Sequence, residues 1–176
     1  MLPVLQSGDA LLRTPSVSVP EELFGTQELT QMVEDMAETL HHEPDGVALA
    51  APQVGLPYRI FIVRHDRMSE THEVGQDSEP ILGVFINPKF IKTSRKRVEV
   101  PEGCLSVKNV YGTTIRYERA LIEARTVDGT RFERGAGGIL AQAFQHETDH
   151  LEGILFIDHA IDMHESHLPS THEETA

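Results

Sequence analysis

Residues Gln145 to His150 read Q-H-E-T-D-H, two histidines four positions apart with a glutamate directly after the first. On a helix, positions i and i+4 share a face, so His146 and His150 could grip one metal ion between them. Glu147 sits one step round, placed to touch a water on that ion without being a ligand. A divalent ion lowers the pKa of its water, and a nearby carboxylate can take the proton, the chemistry of metal-assisted hydrolysis. At average composition, H-E-x-x-H arises by chance in on the order of one chain in two hundred of this length, so the pattern needs support. Helix phase supplies some. Ile139, Ala143, His146 and His150 fall on one stripe, and Leu140, Phe144, Glu147 and Leu151 on the stripe beside it. Both stripes are otherwise apolar, and a buried imidazole or carboxylate is costly unless paired or metal-bound. The plainer alternative is a helix with a few satisfied interior polar groups.

Catalytic ions usually take three protein ligands and leave a position for water. The pattern H-E-x-x-H-x-x-G-x-x-H continues through Gly153 and then fails, because Phe156 stands where a third histidine would be. Glu152 is too close along the same helix to reach the ion, which leaves only tail acids such as Glu165 downstream. The stretch EGCLS, Glu102 to Ser106, holds the only cysteine. Alone, Cys104 reads as a small buried hydrophobe. Beside a histidine pair short of one ligand, its thiolate becomes a candidate for Zn²⁺ or Fe²⁺. A third stretch, GVALAAPQVG from Gly46 to Gly55, carries the polar amide of Gln53 among small apolar residues. That amide either satisfies backbone groups in a buried loop or donates to a substrate oxygen.

These residues need elements to hold them. Gly8 to Pro20 reads as extended and broken by prolines. A helix begins after Thr26, with Leu29, Met32, Val33, Met36, Ala37 and Leu40 at helical spacing, and Pro44-Asp45-Gly46 ends it. Arg59 to Arg64 is a strand, His65 to Pro80 a polar loop, and ILGVFINPKFI a strand region interrupted at Asn87-Pro88. TTIRYERALIEARTVDGTRFER reads as a hairpin turning at Asp128-Gly129. The motif helix spans about Gly137 to Glu152 with Gly153 as its stop. ILFID follows as a last strand, and the tail from about residue 160 to 176 reads as frayed. The expected fold is α+β: one domain over residues 1–176 with antiparallel sheets around a central motif helix and a second, N-terminal helix.

A chain of 176 residues can bury a sizeable core. Its net charge of −13 opposes binding to nucleic acid or anionic membranes. No apolar run reaches membrane-spanning length, and the N-terminus lacks the basic-then-apolar pattern of a signal peptide. A single cysteine excludes an internal disulfide, which suits a reducing, cytoplasmic setting. The one basic cluster, Lys92 to Arg97, reads as a solvated strand end or loop, with a transient ribosome contact as the alternative.

In this order, GVALAAPQVG, EGCLS and QHETDHLEG resemble the peptide deformylase family, over roughly Leu5 to Asp158. The resemblance implies one divalent ion on Cys104, His146 and His150: Fe²⁺ in the cell, replaceable by Zn²⁺, Ni²⁺ or Co²⁺. It implies Glu147 as general acid and base, and Gln53 with the Leu105 backbone N–H holding the formyl oxygen. The substrate it implies is an N-formyl-Met peptide or nascent chain, paired with the backbone at Val47 and Ala48. Val100, Glu102, Ile139 and Ala143 are the further substrate-binding candidates. Three features depart from the family pattern: Ala48 in place of glycine, Gln142 on the motif helix, and a long 65–80 loop that would overhang the cleft. The rival readings are a metallopeptidase with its third ligand downstream, a catalytically weak deformylase-like peptide binder, and a thiol hydrolase using Cys104. The last leaves the His–Glu–His face without a task.

Overall fold

Thr26 caps the first helix, its hydroxyl accepting the Leu29 N–H at 3.3 Å. From there α1 runs Gln27–His42. Leu29, Val33, Met36 and Leu40 share one face and are buried against Leu49, Ile60, Ile62 and Ile86. Each such side chain contributes about 1.5–3 kcal/mol by leaving water, which fixes α1 on the sheet that follows. The computed structural model describes residues 1–68 and 81–166. Most of the expected 65–80 loop, and with it any overhang of the cleft, lies outside the described residues.

Two antiparallel sheets form. The larger is ordered β1 (Ala48–Ala50), β2 (Ile60–Arg64), β3 (Leu82–Thr93), β6 (Arg119–Arg125) and β7 (Arg131–Gly137). The smaller is ordered β4 (Arg97–Cys104), β5 (Val107–Tyr117) and β8 (Ile161–Glu165). The second helix, α2 (Gly138–Leu151), packs on β1, β2, β6 and β7 of the larger sheet and on β5 of the smaller. This is the expected α+β arrangement of antiparallel sheets around the motif helix. An aromatic cluster locks the helix down: Phe144 of α2 meets Phe85 edge-on at 5.0 Å and Phe61 at 6.0 Å between ring centroids. Gly153 ends the helix region with φ of 73° and no room for a Cβ, which would stand 2.7 Å from the Arg13 backbone.

Several local readings are corrected. ILFID is not a strand: Phe156–Asp158 is a 3₁₀ turn, tied by the Asp158 carboxylate accepting the Leu155 N–H at 2.9 Å. The last strand comes later, as β8, inside the stretch expected to fray; residues 167–176 lie outside the described residues. The long hairpin expected from Thr113 to Arg134 is two pieces. Thr113–Tyr117 belongs to β5 and the smaller sheet, and the chain changes sheets at Glu118 before the β6–β7 hairpin. Residues 97–104, including the end of the basic cluster, form β4 through pairing with β5. Asn87-Pro88 does not break β3 but makes a bulge: Asn87 takes φ of 50°, and its side chain bonds both the N–H and the C=O of Val19. The extended N-terminal segment contains a 3₁₀ turn at Ala10–Arg13, capped by Asp9.

Candidate active site

The end of β4 brings Cys104 to the inner face of α2. Its Sγ lies 3.2 Å from Nε2 of His150. One donor atom from each of Cys104, His146 and His150 falls within 4.8 Å of the others, the one such group found among the described residues. A tetrahedral ion with ligands at about 2.0–2.3 Å needs donors a little over 3 Å apart, so the donor set and its spacing would suit one divalent ion held by Cys104, His146 and His150. Phe156, standing where a third histidine would follow the motif, is buried instead and stacks along the His146 ring at 6.3 Å.

The two imidazoles are held differently. His146 Nδ1 lies 3.0 Å from Oε2 of Glu102, which orients the ring with Nε2 toward Cys104. Glu102 is gripped in turn by Arg116 of β5, whose Nε and Nη2 donate to its two oxygens at 2.7 and 3.0 Å. Arg116 also donates to Asp149 on α2 at 2.6 Å. All of Glu102 and Arg116 is nearly shut off from water. His150 Nδ1, by contrast, is buried with no hydrogen-bond partner among the described residues, so that ring is held by packing and by the contact of its Nε2 with Cys104.

Electrostatics follow from this geometry. Burial alone would push Glu102 up, but hydrogen bonds from His146 and Arg116 outweigh it and hold the carboxyl at about 2. Burial pushes Glu147 up to about 7, and one of its oxygens, Oε2, is buried without a hydrogen-bond partner among the described residues. Burial opposes charge on His146, yet its bonds to Cys104 and Glu102, with the nearby Glu147 charge, carry its pKa well above the ordinary imidazole value. Burial holds His150 well below that value. The same negative surroundings of the sulfur and the carboxylates favour a divalent cation between the three donors.

Gln53 fulfils the first of its two expected readings, satisfying a backbone group in a buried segment. Its Oε1 accepts the Ala50 N–H at 2.8 Å, while Nε2 lies 3.2 Å from Ser106 Oγ and 3.5 Å from Cys104 Sγ. These groups open onto a cleft of about 560 Å³. Val47, Ala48, Gln53, Glu102, Leu105, Ile139 and Ala143 all line it, together with Cys104, His146 and Glu147. Val100 does not. It stands on β4 opposite Thr114, two residues short of Glu102, and Pro101 takes the rim position beside it. Gln142 lines the cleft and donates to the Pro101 carbonyl at 2.8 Å, spanning from α2 to β4. A larger, open groove of about 1120 Å³ near His65, Phe85 and Arg134 contains none of these residues.

Arg116, Asp149 and Pro101 were not singled out from the sequence. For Asp149 a signal was present, because the residue before the second histidine lies on the helix flank that faces β5. For Arg116 there was none, since its role depends on which strand β5 pairs with.

A two-sheet α+β fold that gathers a thiol, two imidazoles and a buried carboxylate beside a cleft defines an enzyme of the H-E-x-x-H type. Comparison narrows the class. The family model described as polypeptide deformylase matches residues 1–166. A peptide deformylase of Salinibacter ruber is 38% identical over 160 residues, covering 90% of this chain and 80% of that one. One from Rhizorhabdus wittichii is 42% identical over 160 residues, covering 89% and 84%. The crystal structure of a class I type b peptide deformylase from Acinetobacter baumannii with Met-Ala-Ser bound matches with a TM-score of 0.80 at 32% identity, covering 90% of this chain and 98% of that one. A plant peptide deformylase structure matches with a TM-score of 0.78 at 33% identity, covering 92% and 81%. The chain belongs to the peptide deformylase family. Among the described residues, no helix is long and apolar enough to cross a membrane.

Proposed function

We propose that the chain hydrolyses the N-formyl group from peptides or nascent chains beginning with N-formylmethionine, releasing formate and a free α-amino group. Cys104, His146 and His150 would hold one divalent ion, Fe²⁺ in the cell, with Zn²⁺, Ni²⁺ or Co²⁺ able to replace it. When bound, that ion supplies Lewis acidity, lowering the pKa of a water and drawing charge from a carbonyl oxygen. The observation that carries the reading is the three-donor group of Cys104, His146 and His150 with the buried Glu147 carboxyl directly beside it at the cleft. A carboxyl so placed can take a proton from water and return it to a leaving amine.

Glu147 takes the proton from the attacking water and gives it to the amide nitrogen as the C–N bond breaks. The oxyanion that develops on the formyl oxygen is met by Gln53 Nε2 and by the Leu105 backbone N–H. Gln53 is held for this by its bond to the Ala50 N–H. The peptide lies along Val47 and Ala48 as an added strand, and Ile139 and Ala143 offer the apolar surface for its first side chain. The relative that holds Met-Ala-Ser supports methionine in that place. The metallopeptidase reading is disfavoured because the third donor comes from β4, upstream of the helix, and Phe156 fills the downstream position.

Formate release from formyl-Met-Ala-Ser under anaerobic conditions tests the activity. We expect turnover that Cys104→Ala abolishes together with metal content. A Cys104→Ala protein that keeps a full equivalent of metal rules out the thiolate as an essential ligand, and absence of turnover with iron-loaded wild type overturns the reading.

A further inference from the structure

The segment from Glu43 to Ala48 forms one wall of the cleft, yet only its last residue belongs to a strand. What holds the rest is a side chain from elsewhere. Arg67 sits in the 3₁₀ turn His65–Arg67 that follows β2. Its Nη1 lies 2.6 Å from the carbonyl oxygens of both Glu43 and Gly46, and 3.2 Å from that of Leu40. Its Nη2 donates to the His41 carbonyl at 3.2 Å. One guanidinium thus serves two carbonyls of the last turn of α1, one of which also accepts the Glu43 N–H at 3.4 Å, and two carbonyls of the wall. The turn that carries it is braced by a fork from Arg64 to Asp66. The Arg64 N–H also donates to the Val47 carbonyl at 2.8 Å. On the other side of the wall, Gly46 packs closely: a Cβ there would stand 2.8 Å from Leu40 Cδ1 and 3.1 Å from Leu105 Cδ1. The wall is therefore clamped between the EGCLS stretch and Arg67, with Glu43 and Gly46 as the grip points.

We propose that Arg67 is a positioning residue for substrate binding, setting the backbone of Glu43–Val47 at the height where it pairs with the peptide. This rests on the reading that Val47 and Ala48 bind the substrate backbone. Arg67 touches no reacting atom. Its effect falls on binding of the chain beyond the formylated residue, and a planar fork is required because one flexible ammonium cannot serve four carbonyls at once.

The test uses the metal-loaded enzyme, with Arg67→Lys and Arg67→Met, on formyl-Met-Ala-Ser and on the truncated formyl-methionine amide. Both variants should raise KM for the tripeptide about tenfold while kcat for it, and KM for the short amide, stay within about threefold. Hydrogen exchange at the Gly46 amide, which donates to Glu43 O at 3.0 Å, should quicken at least about tenfold. A merely structural role would lower the active fraction, cutting kcat equally for both substrates and leaving KM unmoved, and that result overturns the proposal. A tripeptide KM within about threefold of wild type overturns it as well. If Arg67→Met does not fold, Arg67→Lys decides the matter alone. Wild type turning over both substrates with equal kcat/KM would show that the wall binds no peptide and would sink the underlying reading too. Wild type that discriminates, with variants that discriminate equally, sinks only the role of Arg67.

Discussion

Nδ1 of His146 and Oε2 of Glu102 stand 3.0 Å apart, joining α2 to β4 at the centre of the site. The bond fixes the ring so that its other nitrogen faces Cys104 and His150. It also links EGCLS to QHETDH by chemistry as well as by proximity. Arg116 and Asp149 extend the chain, so the orientation of one donor depends on three other side chains drawn from α2, β4 and β5.

Glu102→Gln preserves shape but removes the charge that His146 faces. Partners of this kind typically contribute ten- to a hundredfold to metal affinity. We expect a loss in that range, read by competition with a chelator. Affinity within about twofold of wild type would assign the orientation of His146 to packing.

Arg116→Met leaves the Glu102 carboxylate buried with one partner fewer. Breaking a buried pair from one side costs about 3–5 kcal/mol. Urea unfolding should show a loss of that order. The double variant Arg116→Met with Glu102→Gln should recover part of it, because the buried carboxylate that Arg116 neutralised is then gone. No recovery would mean that the arginine acts mainly by filling space.

Glu147→Gln should lower kcat at least about a hundredfold, the usual size of a general acid–base contribution. Metal content should stay near that of wild type, since Glu147 lies outside the three-donor group. Activity within a few-fold of wild type would place proton transfer on another group.

Ala48 lies in β1 opposite Val63, and its φ is not among the positive values found at non-glycine residues. A methyl group is compatible with that backbone, so the departure from glycine is sterically free. Ala48→Gly should change kcat/KM less than about threefold and cost about 0.4–1 kcal/mol through unfolded-state entropy. A tenfold gain with a falling KM would show that the methyl obstructs the substrate.

Asp66 accepts hydrogen bonds from Arg64 Nε at 2.9 and 3.2 Å, and that bonding lowers its pKa below the ordinary 3.8. A lowered folded-state pKa contributes stability above the unfolded value and loses it as pH falls through the folded one. The stability difference between wild type and Asp66→Asn should therefore be full at about pH 6 and shrink as pH falls below about 4. A difference independent of pH over that range would show that the ion pair contributes nothing.

The sequence by itself determined what depends on neighbours along the chain. The i, i+4 spacing puts His146 and His150 on one helix face whatever surrounds the helix. The apolar stripes beside them send Glu147 inward, and Thr26 and Gly153 mark helix ends through bonds that close within a few residues. The missing third histidine pointed to Cys104 by elimination, and the family resemblance joined the three stretches. Tertiary structure decided everything that depends on register between distant strands. Val98 to Cys104 is too irregular in pattern to declare a strand, and becomes one because β5 supplies its hydrogen bonds. In that register Arg116 stands opposite Val98 and reaches Glu102 only through its long side chain, and Pro101 rather than Val100 stands at the cleft rim. Ile161–Glu165 carries charged and apolar residues with no inward face, so only the open edge of β5 makes it a strand. ILFID has strand composition but turns, because the Asp158 carboxylate satisfies the Leu155 N–H locally and Phe156 is drawn into the core beside His146. Periodicity reports which face of an element is apolar; it does not report the partner, and in this chain the partners of β4 and β5 complete the site.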